Sequence, residues 1–252
     1  MAHDFIELPH DALDPVQHVE LPDTFPTISD SISYGDFFRR FIASNLPCLI
    51  QNDSIGSWPA RRDWVSQDGR SPNLSFLSQN LVPADHQVPV SRCDERYFNS
   101  QKCIDMPFGE YLDYFHSRDS ERKEKLYLKD WHFHKEFPGY EAYTTPAYFC
   151  SDWLNEFLES GGGGSDYRQS IDQASTDRKL FHFHFTSHRF VYVGPAGSWT
   201  PFHSDVFGSF SWSANIVGRK RWIFYPPGEE DRLADASGNL VYNVNDVRKC
   251  GR

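Results

Sequence analysis

Residues Trp199–Pro227 read WTPFHSDVFGSFSWSANIVGRKRWIFYPP. Short runs of alternating apolar and polar residues are separated by Pro and Gly, the pattern of half-buried strands joined by turns. Gly218-Arg219 suits a two-residue hairpin turn with Gly in its first position. That turn pairs Val217 with Lys220, Asn215 with Trp222 and Ser213 with Phe224, and paired residues share a face of the sheet. Lys220 then shares a face with Ser213, Asn215 and two large aromatics, where a lysine calls for an anionic partner such as a dicarboxylate ligand. The alternative is that this face is the solvent side, with Lys220 snorkelling over the Trp222 indole. Upstream, His203-Ser204-Asp205 sets an imidazole and a carboxylate at i and i+2, on one side of a strand. They are two of the three groups of the 2-His-1-carboxylate set that holds non-haem Fe(II). Alone, an HxD tripeptide is a weak signal and reads equally as a hydrogen-bonded surface pair.

Working back from that stretch, RFVYVG at 189–194 alternates like a further strand, and Lys125–Trp131 (KLYLKDW) like another. Between them, Gly161–Gly164 opens a polar, aperiodic run, so 160–188 reads as a flexible insertion. Ser151–Glu159 suits a short helix with Trp153, Leu154 and Phe157 inward. Phe108, Tyr111, Leu112 and Phe115 mark an amphipathic helix. Trp58 and Trp64 flank a basic turn and read as core packing. Tyr34–Asn45 suits a helix capped by Ser33, with Phe37, Phe38, Phe41 and Ile42 on its apolar face. Leu46–Ile50 then suits a buried strand. Residues 1–33 contain four prolines and no sustained period, and read as an extended arm or loose tail.

Composition narrows the function classes. The 252 residues carry 25 Lys and Arg against 35 Asp and Glu, a formal charge of −10. Phosphate binding runs on clustered Lys and Arg, so nucleic acid is not expected as the main partner. No apolar run approaches the roughly 18–20 residues of a membrane span, and MAHDFIELPHD lacks the layout of a signal peptide. The cysteines (Cys48, Cys93, Cys103, Cys150, Cys250) are odd in number and form no CxxC pair. A reduced chain, cytoplasmic or nuclear, fits better than a cysteine zinc site. The aromatic share of 16%, with 16 Pro and 16 Gly, favours strands and turns over a helical bundle.

Several stretches together carry a family resemblance: Trp199–Pro227, ISYGDFFRRF (32–41), NLPCLI (45–50), LYLKDWHF (126–133), YFCSDWLNEF (148–157) and FVYVGPAGSW (190–199). They resemble the Jumonji-C (JmjC) branch of the cupin-fold Fe(II)- and 2-oxoglutarate-dependent oxygenases, its lysyl hydroxylases in particular, over Ile32 to Leu240 with a break at 160–188. The resemblance implies a mainly β, α+β fold: a double-stranded β-helix (cupin jelly roll) with flanking helices, incomplete at the C-terminus. Its divisions would be an arm at 1–33, a helical and first-strand part at 34–159, the insertion at 160–188 and core strands at 189–252. It implies that His203 and Asp205 bind iron and that Lys220 pairs with the distal carboxylate of 2-oxoglutarate. Thr200 would hydrogen-bond the same carboxylate, which requires a bulge at Pro201 because Thr200 and His203 differ in strand parity. Ser213 stands where relatives often place an Asn near the cofactor, and Tyr127 where they place a cofactor-facing Tyr. The implied reaction converts 2-oxoglutarate to succinate while a substrate C–H is hydroxylated. The implied partner is a protein substrate, a lysine of a translation-termination release factor.

The sequence departs from that pattern at one ligand. The family's second histidine follows the first by several tens of residues, and no histidine follows His203. The chain therefore reads as C-terminally truncated and, alone, as unable to turn over. His182 and His184 share a face in FHFHF, and His188 follows, but no carboxylate stands at strand spacing beside them, so they are not expected to replace the ligand. His132 and His134 read as ordinary strand or turn histidines. Two other functions stay open: a non-catalytic cupin-like binding module, and a histone lysine demethylase. The latter lacks a reader domain, a cysteine zinc cluster and a basic surface.

Overall fold

Ile28 and Ile50 stand opposite each other in a two-stranded parallel pair, β1 (Thr27–Ser29) with β2 (Leu49–Gln51). The computed structural model describes residues 25–51, 53–118, 122–159, 188–226, 230–234 and 240–245. The chain divides into two units: residues through Ser57 with Thr145–Ser151, and Trp58–Thr144 with the chain from Asp152 onward. In the first unit, the Ser33 hydroxyl accepts from the Asp36 amide at 3.1 Å and starts α1 (Tyr34–Phe37). This helix continues into a π-helical turn at Phe38–Ile42. Phe37 and Phe41 pack with Ile28 and Tyr148. The Tyr148 hydroxyl lies 2.5 Å from the Asp30 carbonyl and 2.8 Å from that of Ile32, tying 145–151 to the turn after β1. The helix expected from Tyr34 is present. The strand expected at 46–50 is shorter and not buried, since Leu49 is 61% exposed.

The second unit holds an antiparallel sheet, order β4-β3-β5-β6, made of β3 (Gln87–Tyr97), β4 (Ser100–Pro107), β5 (Leu126–Trp131) and β6 (Val191–Val193). Val90 pairs with Ile104 and with Leu128, and Leu128 with Val193, so these residues share one face. That face meets α4 (Phe108–His116) and the rings of Trp131 and Phe133 in the main core, where Trp64 also lies. Remaining helices are α2 (Pro59–Asp63), α3 (Leu74–Asn80), α5 (Phe133–Glu136) and α6 (Trp153–Glu159). Trp58 and Trp64 are buried as expected, whereas Trp153 in α6 is 57% exposed rather than inward. The β3–β4 hairpin, the longest pairing, has no counterpart in the sequence reading. Its Val88/Val90 and Ile104/Met106 alternation is masked by the charged run from Arg92 to Arg96.

The short β6 is held by one side chain. The Tyr111 hydroxyl donates to the Val193 carbonyl at 2.5 Å and accepts from the Leu128 amide at 3.2 Å. It therefore bridges β5 and β6 from the core side.

The cupin jelly roll is corrected by the structure. The described residues form an open α+β arrangement with an antiparallel sheet, and no closed barrel is seen. No residue from Gly194 to Pro226 belongs to a strand. The hairpin expected at Gly218-Arg219 is instead a turn in which Asn215 Nδ2 donates to the Gly218 carbonyl at 2.8 Å, with Gly218 at φ +78°. Backbone amides form a strand only where a neighbour completes the ladder, and 210–226 meets none among the described residues. Several of its large apolar side chains stay outside, with Phe210 56%, Trp222 48% and Phe224 46% exposed, while Ile216 packs on the main core and the Trp212 ring on Trp58 and Tyr143. The expected insertion lies outside the described residues except for His188, as does the expected arm before Phe25. None of the described helices is long and apolar enough to cross a membrane. The four described cysteines, Cys48, Cys93, Cys103 and Cys150, are free thiols.

Candidate functional site

Opposite the core, the second face of the sheet is built from Ser91, which pairs with Cys103 and with Tyr127. Strand alternation adds Tyr192 to this face, and the Tyr127 and Tyr192 rings lie 6.1 Å apart. Tyr127 is 8% exposed, and burial pushes its phenol up to about 12. Gly194 follows β6 where a Cβ would run into the Tyr127 ring and the Ser198 hydroxyl, so only glycine lets the chain pass this close.

β5 breaks its alternation here. The register shifts between Leu128 and Trp131, and Asp130 sits in the left-handed region at φ +60°. A bulge of this kind re-aims one side chain out of the ladder's parity. The Asp130 carboxylate accepts from the Tyr192 hydroxyl at 2.8 Å, with Lys129 Nζ 3.9 Å away. The Tyr192 phenol is raised strongly, by burial first and then by the Asp130 charge and hydrogen bond.

Lys220 lies over these rings. Its ammonium is 5.0 Å from the Tyr192 ring centre and 4.2 Å from that of Trp222. Burial of the ammonium pulls it below the ordinary lysine value, while Asp130 and then Asp205 act the other way. The structure thus realises the snorkelling arrangement over the indole. It does so on the sheet's polar face and beside two carboxylates rather than on a hairpin.

His203 and Asp205 stand together. The Nε2 of His203 is 3.7 Å from Asp205 Oδ1, with the side chains 55% and 41% exposed. His203 Nδ1 lies 2.7 Å from the buried Pro201's carbonyl. A carbonyl only accepts, so Nδ1 carries the proton and the Nε2 lone pair is left facing Asp205, the tautomer a metal ligand requires. Donors about 2.1 Å from one ion and cis to each other stand about 3.0 Å apart, so the pair could share an ion but would have to close by about 0.7 Å to take two of the three positions of a facial triad. Among the described residues, no group of three His, Cys, Asp or Glu side chains comes together. The segment is anchored by the Phe202 amide, which donates to the Tyr242 carbonyl at 3.1 Å.

Other expected residues are dispersed. Thr200 and Ser213 are exposed and enter none of the hydrogen bonds or ion pairs among the described residues. His182 and His184 lie outside those residues. The His188 amide donates to Asn155 Oδ1 at 2.6 Å, and its ring packs near Phe190. Tyr192 and Asp130 were missed at the sequence level. Tyr192 was legible, because KLYLKDW and RFVYVG in antiparallel register bring alternate tyrosines to one face. Asp130 was not, because a bulge cancels the parity that would locate it.

The profile of the cupin-like domain family matches residues 35–248. The 2-oxoglutarate and iron-dependent oxygenase JMJD4 of Gallus gallus is 42% identical over 231 residues, covering 90% of this chain and 48% of that protein. Its Homo sapiens counterpart is 39% identical over 224 residues, 87% of this chain and 48% of that protein. The arginine-specific demethylase JMJ20 of Arabidopsis thaliana is 42% identical over 214 residues, 84% of this chain and 44% of that protein. The chain spans about half the length of the curated relatives it matches. With the matched span running through the His203–Asp205 pair and Lys220, the chain belongs to the cupin-like domain family, in its Jumonji-C branch of Fe(II)- and 2-oxoglutarate-dependent oxygenases.

Proposed function

We propose that this chain is the part of an Fe(II)- and 2-oxoglutarate-dependent protein hydroxylase that carries two iron ligands and the cationic anchor for the cofactor's carboxylate, acting on a lysine of a translation-termination release factor. The observation that supports it best is Lys220: an ammonium set on the polar face of the sheet, within the electrostatic reach of Asp205, which itself stands 3.7 Å from His203 Nε2. His203 and Asp205 would hold Fe(II), and Lys220 would pair with the distal carboxylate of 2-oxoglutarate. Tyr127 would wall the cofactor from the sheet side, its phenol kept protonated as a donor; Thr200 and Ser213, both exposed, would contribute hydroxyls. Bound there, Fe(II) with 2-oxoglutarate and dioxygen would supply oxidative C–H hydroxylation, one oxygen atom going to the hydroxyl and the other to succinate, with carbon dioxide released.

The residues of the chain do the rest. The Pro201 carbonyl keeps the His203 proton on Nδ1 and the Nε2 lone pair free. The Tyr192 and Trp222 rings carry the Lys220 ammonium at 5.0 Å and 4.2 Å and hold it on the sheet's polar face, where it stays open to a carboxylate.

A second reading, a non-catalytic binding module, is favoured by the two-donor set among the described residues. Titration of the 252-residue chain separates the two. Tight 2-oxoglutarate binding only when Fe(II) or Mn(II) is present supports the oxygenase, and metal-independent binding supports the module. The finer claim is tested by succinate release with a release-factor lysine peptide, Fe(II) and ascorbate. Two donors alone predict little turnover. Robust turnover coupled to lysine hydroxylation would show that a further ligand, such as His182 or His184, completes the site. Succinate formed only with a methylated-arginine peptide would transfer the substrate to the demethylase type.

A further inference from the structure

We infer that Asp130 is a positioning residue for Lys220: through its hydrogen bond to Tyr192 it fixes the ring on which the Lys220 ammonium rests, and so sets where a dicarboxylate's distal end is received. This rests on the proposal above that Lys220 anchors 2-oxoglutarate.

Three observations carry it. Asp130 sits at φ +60° at the bulge between Leu128 and Trp131, an uncommon conformation for an L-residue that Asp and Asn accept more readily than others. The bulge turns the carboxylate onto the polar face, where Oδ1 accepts from Tyr192 Oη at 2.8 Å. The Tyr192 ring in turn carries the Lys220 ammonium at 5.0 Å. A purely architectural role would be to staple β6 onto β5. That task is already performed from the opposite face by the Tyr111 hydroxyl, which bridges Val193 and Leu128. Asp130 is also the acid that acts most strongly on Lys220, ahead of Asp205. Its negative charge therefore favours the ammonium form against the burial that opposes it.

The two contributions separate by substitution. Asp130→Asn tolerates the left-handed backbone and retains an acceptor for Tyr192, so it removes the charge alone. Tyr192→Phe keeps the ring and removes the hydrogen bond alone. Isothermal titration of 2-oxoglutarate into the 252-residue chain, with Mn(II) in place of Fe(II), is expected to give Kd values on the order of tenfold weaker for each variant. Neither is expected to weaken binding further in a Lys220→Ala background. A ligand-free measurement accompanies it: the ring-current shift of the Lys220 ε-methylene protons should shrink in Tyr192→Phe. Wild-type Kd in both variants, with Lys220→Ala weakened, overturns the inference, as does a loss that persists undiminished in the Lys220→Ala background. If Lys220→Ala leaves Kd unchanged, the anchor reading itself fails; the proton shift then decides alone, and an unmoved shift in Tyr192→Phe overturns the part given to Asp130.

Discussion

The strands of the sheet β4-β3-β5-β6 are poorer in aromatic residues than the segment 195–226 (4 of 28 against 8 of 32), yet only the first is a sheet. In the first, every apolar position of one face finds a facing residue: Leu128 meets Val90 on one side and Val193 on the other. In the second, Phe210, Trp222, Ile223, Phe224 and Tyr225 all remain exposed. Alternation assigns residues to faces, and a ladder partner is what turns a face into buried area. The site lies where the two regions meet, with Lys220 from the second laid on rings of the first.

The largest contrast should appear in stability. Trp131 is fully buried, and Trp131→Ala should cost about 3–5 kcal/mol in urea unfolding, whereas Trp222→Ala, half exposed, should stay within about 0.5 kcal/mol. Equal losses would mean that 195–226 is packed as firmly as the sheet. Next comes the contribution of that segment to binding: Lys220→Ala should weaken 2-oxoglutarate binding by about 1.5–3 kcal/mol, the worth of a charged hydrogen bond. An unchanged dissociation constant removes Lys220 from the cofactor site.

The contrast sharpens at the sheet's shortest strand. Tyr111→Phe strips the hydroxyl shared by Val193 and Leu128, and should destabilise by on the order of 1–3 kcal/mol while speeding amide exchange in β6. Exchange unchanged at Val191–Val193 would show that something else holds that strand. The smallest effect is a pH trend. Burial raises the Tyr127 phenol from 10.0 to about 12, so the folded state holds that proton more tightly than the unfolded chain. The associated stability is complete below pH 10 and is lost as pH rises from 10 toward 12. Tyr127→Phe should flatten the fall of the urea midpoint across that window, and an undiminished slope would assign the trend to the other buried tyrosines.

Family membership, the nearness of His203 to Asp205 and the faces of regular strands were legible in the sequence because each depends on neighbours in the chain. His203 and Asp205 sit two apart, Ser33 caps its own helix, and Tyr127 and Tyr192 fall on one face by strand period. The closed barrel was not borne out, because a strand exists only against another strand and no local pattern states whether that partner is in place. The β3–β4 hairpin went unnoticed because the charged stretch Arg92–Arg96 hides its alternation, although Val90, paired with both β4 and β5, is completely buried. Trp222 beside Lys220 was foreseen, but tertiary structure alone decided the rest of the lysine's surroundings. It dispensed with the expected hairpin, added the Tyr192 ring and brought Asp130 to that ring through a left-handed bulge. Sequence periodicity cannot register that step, because a bulge is the point at which the period fails.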